Sequence, residues 1–454
     1  MTGLPLILVF VAAIVVMIVA ISKFKVHPFL SIMAVSLILA LVAGLPLTGI
    51  ADVIGAGFSG TFSSIGIVII LGALIGSILE QTGAAFKLAD MVIKVVGKKN
   101  PELAMELMGW VVSIPVFCDS GFVILDPIRK ALVRRTGTSS VAMTVALSAG
   151  LYISHVFIPP TPGPIAAANT LGIGDNLLLV MGLGLVASIL PLVSGLIYAK
   201  FIGKKIKSED EIVADGEVVK TYEELVAEYG NLPGGWNAVA PIIVPVLFMA
   251  LGSVASVFKD SLPVFVFDLF TFFGKPVIAL AIGTIFAVIQ LAIAKKMKEF
   301  YNITNDTLKT VGPILFVTAA GGVLGKVISS TDLVNYITSN AGVLEAIGIF
   351  FPFILAAILK SAQGSSTVAI TTTAGILVPL MEPMGLNTPV LAALTVMAIG
   401  AGAMTVSHAN DSYFWVVTNF GKMKPEQGYK TQTMLTLVMG VSAMIGIFVL
   451  SLFF

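Results

Sequence analysis

Four ionisable side chains, Asp119, His155, His408 and Asp411, stand inside stretches that are otherwise apolar, small or hydroxylic. A charge at the centre of a bilayer costs about 2.5–3.5 kcal/mol on insertion scales, so such residues mark functional positions by default. Each sits where a helix would break. The breaks read Cys118-Asp119-Ser120-Gly121, Ser154-His155 running into Pro159-Pro160-Thr161-Pro162-Gly163-Pro164, Gln363-Gly364-Ser365-Ser366-Thr367, and Ser407-His408-Ala409-Asn410-Asp411-Ser412. Proline removes a backbone donor and breaks a helix. The half-helix that restarts presents free N–H groups with partial positive charge, which attract carboxylates. Ser120, Thr161, Ser365, Ser366 and Thr367 add neutral hydroxyl donors, and carboxyls and imidazoles can load and release a proton.

This combination suits a small organic acid taken up with a proton. The expected substrate contacts are Asp119, Ser120, Gly121, Pro160, Thr161, Gly163, Gly364, Ser365, Ser366, Thr367 and Asn410. The expected proton carriers are Asp119, His155, His408 and Asp411. No arginine lies in the four segments, and the nearest lysine, Lys360, precedes the third break. Helix dipoles and hydroxyls are therefore expected to hold the carboxylate without a guanidinium clamp. Sodium is the alternative coupling ion, with Asn410, Asp411 and the carbonyls of the Gly-Ser-Ser break as its ligands. No other cofactor is expected.

The elements that must position these residues follow from hydropathy. Hydrophobic residues make up 57% of the 454-residue chain and charged residues 11%, against roughly a quarter in soluble domains. Runs near the 20 or so apolar residues needed to span a bilayer recur along it. Expected spans are Leu4–Ile21, Pro28–Leu45, Ile65–Leu79, Ser140–Ile158 and Asn176–Phe201, then Trp236–Phe258, Val277–Ile293, Val311–Ile328, Val390–Val406 and Thr433–Phe454. The first run lacks a basic start and a small-residue cleavage site, so it reads as a retained helix. Leu103–Leu132 and Val343–Met384 are interrupted near their middles and read as re-entrant hairpins. Irregular backbone at membrane depth is tolerated only inside protein or against a water-filled cavity.

The fold class is thus an all-α polytopic membrane protein of about ten spanning helices and two re-entrant hairpins. Residues 1–203 form one repeat of three spans, the hairpin 103–132 and two spans. Residues 204–235 are a polar cytoplasmic linker with an amphipathic helix near Thr221–Glu228. Residues 236–454 form the second repeat, with the hairpin 343–384. Odd span counts invert the second repeat, and paired interruptions at corresponding positions point to a transport site. With both termini outside, all of the 26 Lys and Arg except Lys259, Lys275, Lys326 and Lys360 fall inside, as the positive-inside rule requires.

Other features read as structure. Gly72 and Gly76 have helix-packing spacing. Asp126 is placed to cap a helix or face Arg129, Glu80 sits at the inner end of a span, and His27 is given no role. The single cysteine, Cys118, excludes an internal disulfide and a cysteine metal cluster. No phosphate-binding glycine loop is present, which excludes a self-contained ATP-driven pump. No nucleophile–base or metal-spaced constellation suggests an enzyme, and no nucleic-acid partner is expected.

The chain resembles the gluconate permease (GntP) family of bacterial proton symporters along its whole length. The resemblance is carried by Gly121-Phe122-Val123-Ile124-Leu125-Asp126-Pro127, Pro159-Pro160-Thr161-Pro162-Gly163-Pro164, Gly364-Ser365-Ser366-Thr367-Val368-Ala369, and Ser407-His408-Ala409-Asn410-Asp411 with Phe414-Trp415. It implies proton-coupled uptake of a sugar acid, hydroxy acid or amino acid across the bacterial inner membrane. It also implies membership of the wider ion-transporter superfamily. There, inverted repeats pair within a homodimer in the lipid, and the hairpins and broken spans move against a scaffold of spans such as Leu4–Ile21 and Trp236–Phe258. Two positions depart from the family. Asp119 stands where members often carry Glu, and Thr161 where they often carry His; both change the shape and charge of a pocket.

Overall fold

The computed structural model describes residues 4–96, 100–209, 224, 232–258, 262–332, 347–408 and 411–454. Asn410, most of the linker 204–235 with its amphipathic helix, and residues 343–346 of the second expected hairpin lie outside the described residues.

The described residues are all-helical, with no strand among them. Most expected spans form as helices: α1 (Leu4–Ser22), α2 (Pro28–Ala43), α3 (Leu47–Gln81), α7 (Ser140–Phe157), α11 (Gly235–Val257), α13 (Pro276–Ile293), α14 (Phe300–Ser329), α17 (Pro389–Met404) and α19 (Met434–Ser451). The span Asn176–Phe201 is α9 (Leu177–Ala187) and α10 (Ile189–Gly203), meeting at Ser188. Shorter helices fill between them: α4 (Ala84–Val96), α5 (Pro101–Val112), α6 (Cys118–Thr136), α8 (Pro162–Thr170), α12 (Val264–Gly274), α15 (Phe350–Gln363), α16 (Ser366–Leu377) and α18 (Ser412–Phe420). Proline at the first helical position starts α2, α5, α8, α13 and α17, where its missing N–H costs nothing.

Among the described residues six helical stretches are long and apolar enough to cross a membrane, and a seventh counts if Gly66–Gln81 and Ala84–Val92, bent by 77°, form one span. The expected spans at Leu4–Ile21, Pro28–Leu45 and Val390–Val406 are helical but shorter. The third span differs most from expectation. It begins at Leu47, not Ile65, and runs 35 residues without a break.

Burial orders these helices. All 18 residues of α7 are buried, as is α17 from Ala392 to Met404. A helix apolar on every side belongs at the centre. The outer helices show large apolar side chains along one face: Ile189, Val193 and Ile197 on α10, Ile285, Ile289 and Ile293 on α13, Ile445 and Val449 on α19. Spacing of four residues stacks them into a stripe, and a stripe of this kind fits lipid, not water.

Two glycines on α3 seat the irregular backbone. A β-carbon on Gly72 would come within 2.9 Å of the Pro160 carbonyl oxygen, and one on Gly76 would overlap the Pro115 carbonyl. The packing spacing read from the sequence therefore brings α3 against two broken segments at once. Gly321 and Gly325 on α14 repeat the arrangement against Thr371 and Gly375 of α16.

Each expected hairpin region is described as two helical arms around a break, and the position of the first break differs from expectation. The first break lies at Ser113–Phe117, and Cys118-Asp119-Ser120-Gly121 is the opening turn of α6. Pro115 explains the shift: it has no N–H to donate and pushes the preceding residue away from helical geometry. The second break, Gly364-Ser365, falls where expected. Gly364 takes φ +92°, a left-handed conformation that glycine adopts without penalty. Both halves follow one order: arm, break, arm, buried helix, break, short helix, outer helix.

Candidate functional site

Three helix N-termini meet at one cavity of about 320 Å³. α6 contributes Cys118 and Asp119, α16 contributes Ser366 and Thr367 behind Gly364 and Ser365, and α18 contributes Ser412 and Tyr413 behind Asp411. α7 closes one side with Tyr152 and His155. A larger cavity of about 990 Å³ lies among α11, α12 and the turn after α8. It contains none of the four breaks, so size alone does not make it the site. A third cavity, of about 380 Å³, is lined by Glu80, Glu299 and Asp306 and meets Ser120. Phe117 borders both this cavity and the site.

Asp119 is half-buried in the first turn of α6 and receives two long hydrogen bonds, from the Ser412 hydroxyl at 3.4 Å and from Cys118 Sγ at 3.9 Å. Ser120, its neighbour, turns towards the Glu80 carboxylate and the acidic cavity. Gly121 faces away, against Leu151 of α7. Ser365 caps α16, accepting from the Val368 N–H at 3.3 Å. Thr367 Oγ1 lies 3.5 Å from His155 Nε2. His155 stacks on Tyr152 at 6.3 Å between ring centroids, and its Nδ1 is buried with no hydrogen-bond partner among the described residues.

The Pro-rich break is built differently. Thr161 Oγ1 donates to the Ile158 carbonyl at 2.7 Å, Pro160 rests on Gly72, and a β-carbon on Gly163 would come within 2.9 Å of Ile370. Pro160 and Gly163 serve the contact of this break with α3 and α16, Thr161 bonds within the break itself, and none of the three lines the cavity. His408 also stands outside it, with Nε2 3.1 Å from the Ser361 carbonyl oxygen.

Asp411 is the most heavily engaged polar group at the site. Its Oδ1 accepts from the Tyr413 N–H at 3.0 Å and so caps α18. Its Oδ2 accepts from Ser407 Oγ at 2.5 Å and from Lys360 Nζ at 2.5 Å. Lys360 is 0% exposed, also donates to the Gly364 carbonyl, and lies 5.8 Å from the Tyr152 ring centroid. The sequence marks this lysine only as an exception to the charge rule beside a break. Nothing local shows that its partner lies 51 residues further on.

Two further charged groups are buried, of which the sequence singled out only Arg129, as the neighbour of Asp126. Glu106 on α5 is 0% exposed, and among the described residues neither of its carboxylate oxygens has a hydrogen-bond partner. Arg129 on α6 is fully buried, pairs with Asp126 at 2.7 Å, and donates to Ser140 Oγ at 2.6 Å and to the Phe420 carbonyl at 3.2 Å. The expectation that Asp126 faces Arg129 holds. His27, given no role, caps α2: its Nδ1 accepts from the Phe29 N–H at 3.2 Å.

Comparison with known proteins adds the family. The sequence pattern of the GntP family permeases matches residues 4–453. This chain belongs to the GntP family. An uncharacterized permease of Haemophilus influenzae is 34% identical over 426 residues, covering 92% of this chain and 86% of that protein. A gluconate permease of Zymomonas mobilis is 31% identical over 451 residues, covering 98% and 97%. The Gnt-II system L-idonate transporter of Escherichia coli is 26% identical over 447 residues, covering 98% of each. The YdaH transporter of Alcanivorax borkumensis, described as having an unusual topology, shares the fold at a TM-score of 0.65 and 16% identity, covering 94% of this chain and 97% of that one. MtrF of Neisseria gonorrhoeae matches at a TM-score of 0.63, also at 16% identity, covering 95% and 96%. GntP membership makes the chain a multi-pass membrane permease, a transport protein.

Proposed function

We propose that this GntP permease imports a small hydroxylated monocarboxylate of the gluconate type together with a proton, by alternating access in the bacterial inner membrane. The observation that carries the reading is the cavity, where three helix N-termini, the hydroxyls of Ser365, Ser366 and Thr367, and two carboxyls converge. Its volume falls in the range of about 300–1,000 Å³ common for small-molecule sites. The helix ends and hydroxyls suit a carboxylate, and Asp119 offers an acceptor for substrate hydroxyls. The names of the gluconate and L-idonate relatives support a sugar acid.

Charge supports the proton. Asp119 and Asp411 face one lysine across the site. With both acids ionised the pocket is already net negative, and a monoanion enters more favourably when a proton accompanies it. Asp119, His155 and Asp411 are the groups at the cavity that can take that proton, and His408 stands one layer behind. The shared order of elements supports two repeats of inverted topology around the site, and the basic residues support an orientation with both termini outside. The superfamily resemblance supports a homodimer.

The test is uptake of radiolabelled gluconate and L-idonate into proteoliposomes with an acidic exterior. Accumulation that collapses with a protonophore and persists when choline replaces sodium is the expected result. Accumulation that needs sodium and ignores the pH gradient would transfer the coupling to sodium.

A further inference from the structure

We infer that Lys360 is the cation that receives the substrate carboxylate, and that protonation of Asp411 is what releases it. The inference rests on the functional reading above and names the mechanism of its coupling.

The geometry sets up an exchange. The ammonium of Lys360 lies one layer behind the cavity wall, held by Gly364 and Asp411, and both of these residues line the cavity. A buried cation needs an anionic partner; with Asp411 ionised, that partner is already in place. An incoming carboxylate would then meet a neutral ion pair with a second acid, Asp119, beside it. Once Asp411 takes a proton from cavity water, it becomes a neutral acid. Lys360 keeps its three protons and its charge, and the substrate carboxylate is the anion available to match it. The ammonium moves from one carboxylate to another, so the lysine is never left unpaired.

The surroundings favour this assignment over the other titratable groups. On α6 the neighbours are Cys118 and Asp119, on α7 Tyr152 and His155, on α18 Tyr413, and His408 faces the backbone of Ser361. Among the described residues, Asp411 alone joins the cation, the cap of α18 and the cavity wall. Its protonation therefore weakens the hold on Lys360 and on the N-terminus of α18 together, at the same wall of the site.

The test measures equilibrium binding of gluconate to the purified, detergent-solubilised protein across a pH series, for wild type, Asp411→Asn, Lys360→Met and the double variant. Removing one member of a buried ion pair can unfold a protein, whereas replacing both with neutral groups is tolerated. The double variant therefore controls for folding. Linkage of one proton to one anion predicts wild-type affinity that rises about tenfold for each unit of falling pH while Asp411 is ionised. Asp411→Asn should bind with a flat pH profile, exchange substrate and fail to accumulate it. The double variant should fold and bind at least 100-fold more weakly than Asp411→Asn. Wild-type binding by the double variant would overturn the inference and make the pair structural, as would an Asp411→Asn variant that retains the wild-type pH slope. A wild-type protein that binds none of the acids at any pH would overturn the functional reading, and this inference with it.

Discussion

At the scale of single residues, the two aspartates divide the work. Asp411 is committed to three donors, whereas Asp119 has two long hydrogen bonds and lines the open cavity. A carboxylate so placed is free to accept from a substrate hydroxyl. A hydrogen bond to a charged group contributes about 1.5–3 kcal/mol. Asp119→Asn is therefore expected to raise KM for gluconate by roughly tenfold to 100-fold. It should change transport of an acid lacking hydroxyls far less, and competition between the two substrates in proteoliposomes measures the difference. Equal loss for both would refute the role. Asp119 was legible in the sequence because an acid amid apolar and small residues is too costly at membrane depth to stand there without a task. Lys360 was not, since its identity as a site residue exists only once α15 and the break before α18 are side by side. The same limit applies to Pro160, Thr161 and Gly163. Their motif reads like a pocket, yet Pro160 and Gly163 are spent on α3 and α16, and Thr161 on the Ile158 carbonyl of its own break.

At the scale of elements, the breaks hold their shape through a few buried contacts between helices. Arg129 ties α6 to α7 through Ser140 and to α18 through the Phe420 carbonyl, with Asp126 as counter-charge. Losing one member of a buried pair costs about 3–5 kcal/mol. Arg129→Met should thus lower the thermal unfolding midpoint in detergent sharply, while Lys130→Met, which removes the partly exposed partner of Asp126, should shift it little. Equal midpoints for the two variants would contradict the tie. The α3 seat makes a second demand. Gly76→Val has no room beside the Pro115 carbonyl, and overpacking of this kind costs about 1–3 kcal/mol or displaces backbone. Transport should be lost even where the protein still inserts; uptake and surface expression measured together report this, and a Gly76→Val protein with wild-type uptake would show that the seat is not needed. Helix order and the second break were readable from apolar runs and from Gly364. The first break was misplaced because Asp119 and Gly121 look like breakers, whereas the proline four residues earlier than Asp119 sets the boundary.

At the scale of the whole molecule, the charge carried per cycle follows from the site. If one proton enters on Asp411 and one monoanion pairs with Lys360, the loaded site has the same net charge as the empty one. The charge that the block of helices carries across the membrane field when loaded is then returned when it crosses back empty, and the full cycle moves no net charge. A potential of 100 mV is worth about 2.3 kcal/mol per elementary charge moved, so the two energy sources can be separated cleanly. Proteoliposomes given a potassium diffusion potential at equal pH on both sides should show no accumulation of gluconate. The same vesicles with an acidic exterior and a clamped potential should accumulate about tenfold per unit of pH difference, the equilibrium limit for one proton per anion. Accumulation driven by potential alone would mean that more than one positive charge accompanies each anion. Asp119 would then be the natural second acceptor, since it shares the cavity with Asp411 and has only long hydrogen bonds to lose on gaining a proton. Asp119→Asn would in that case remove the response to potential and leave the response to pH.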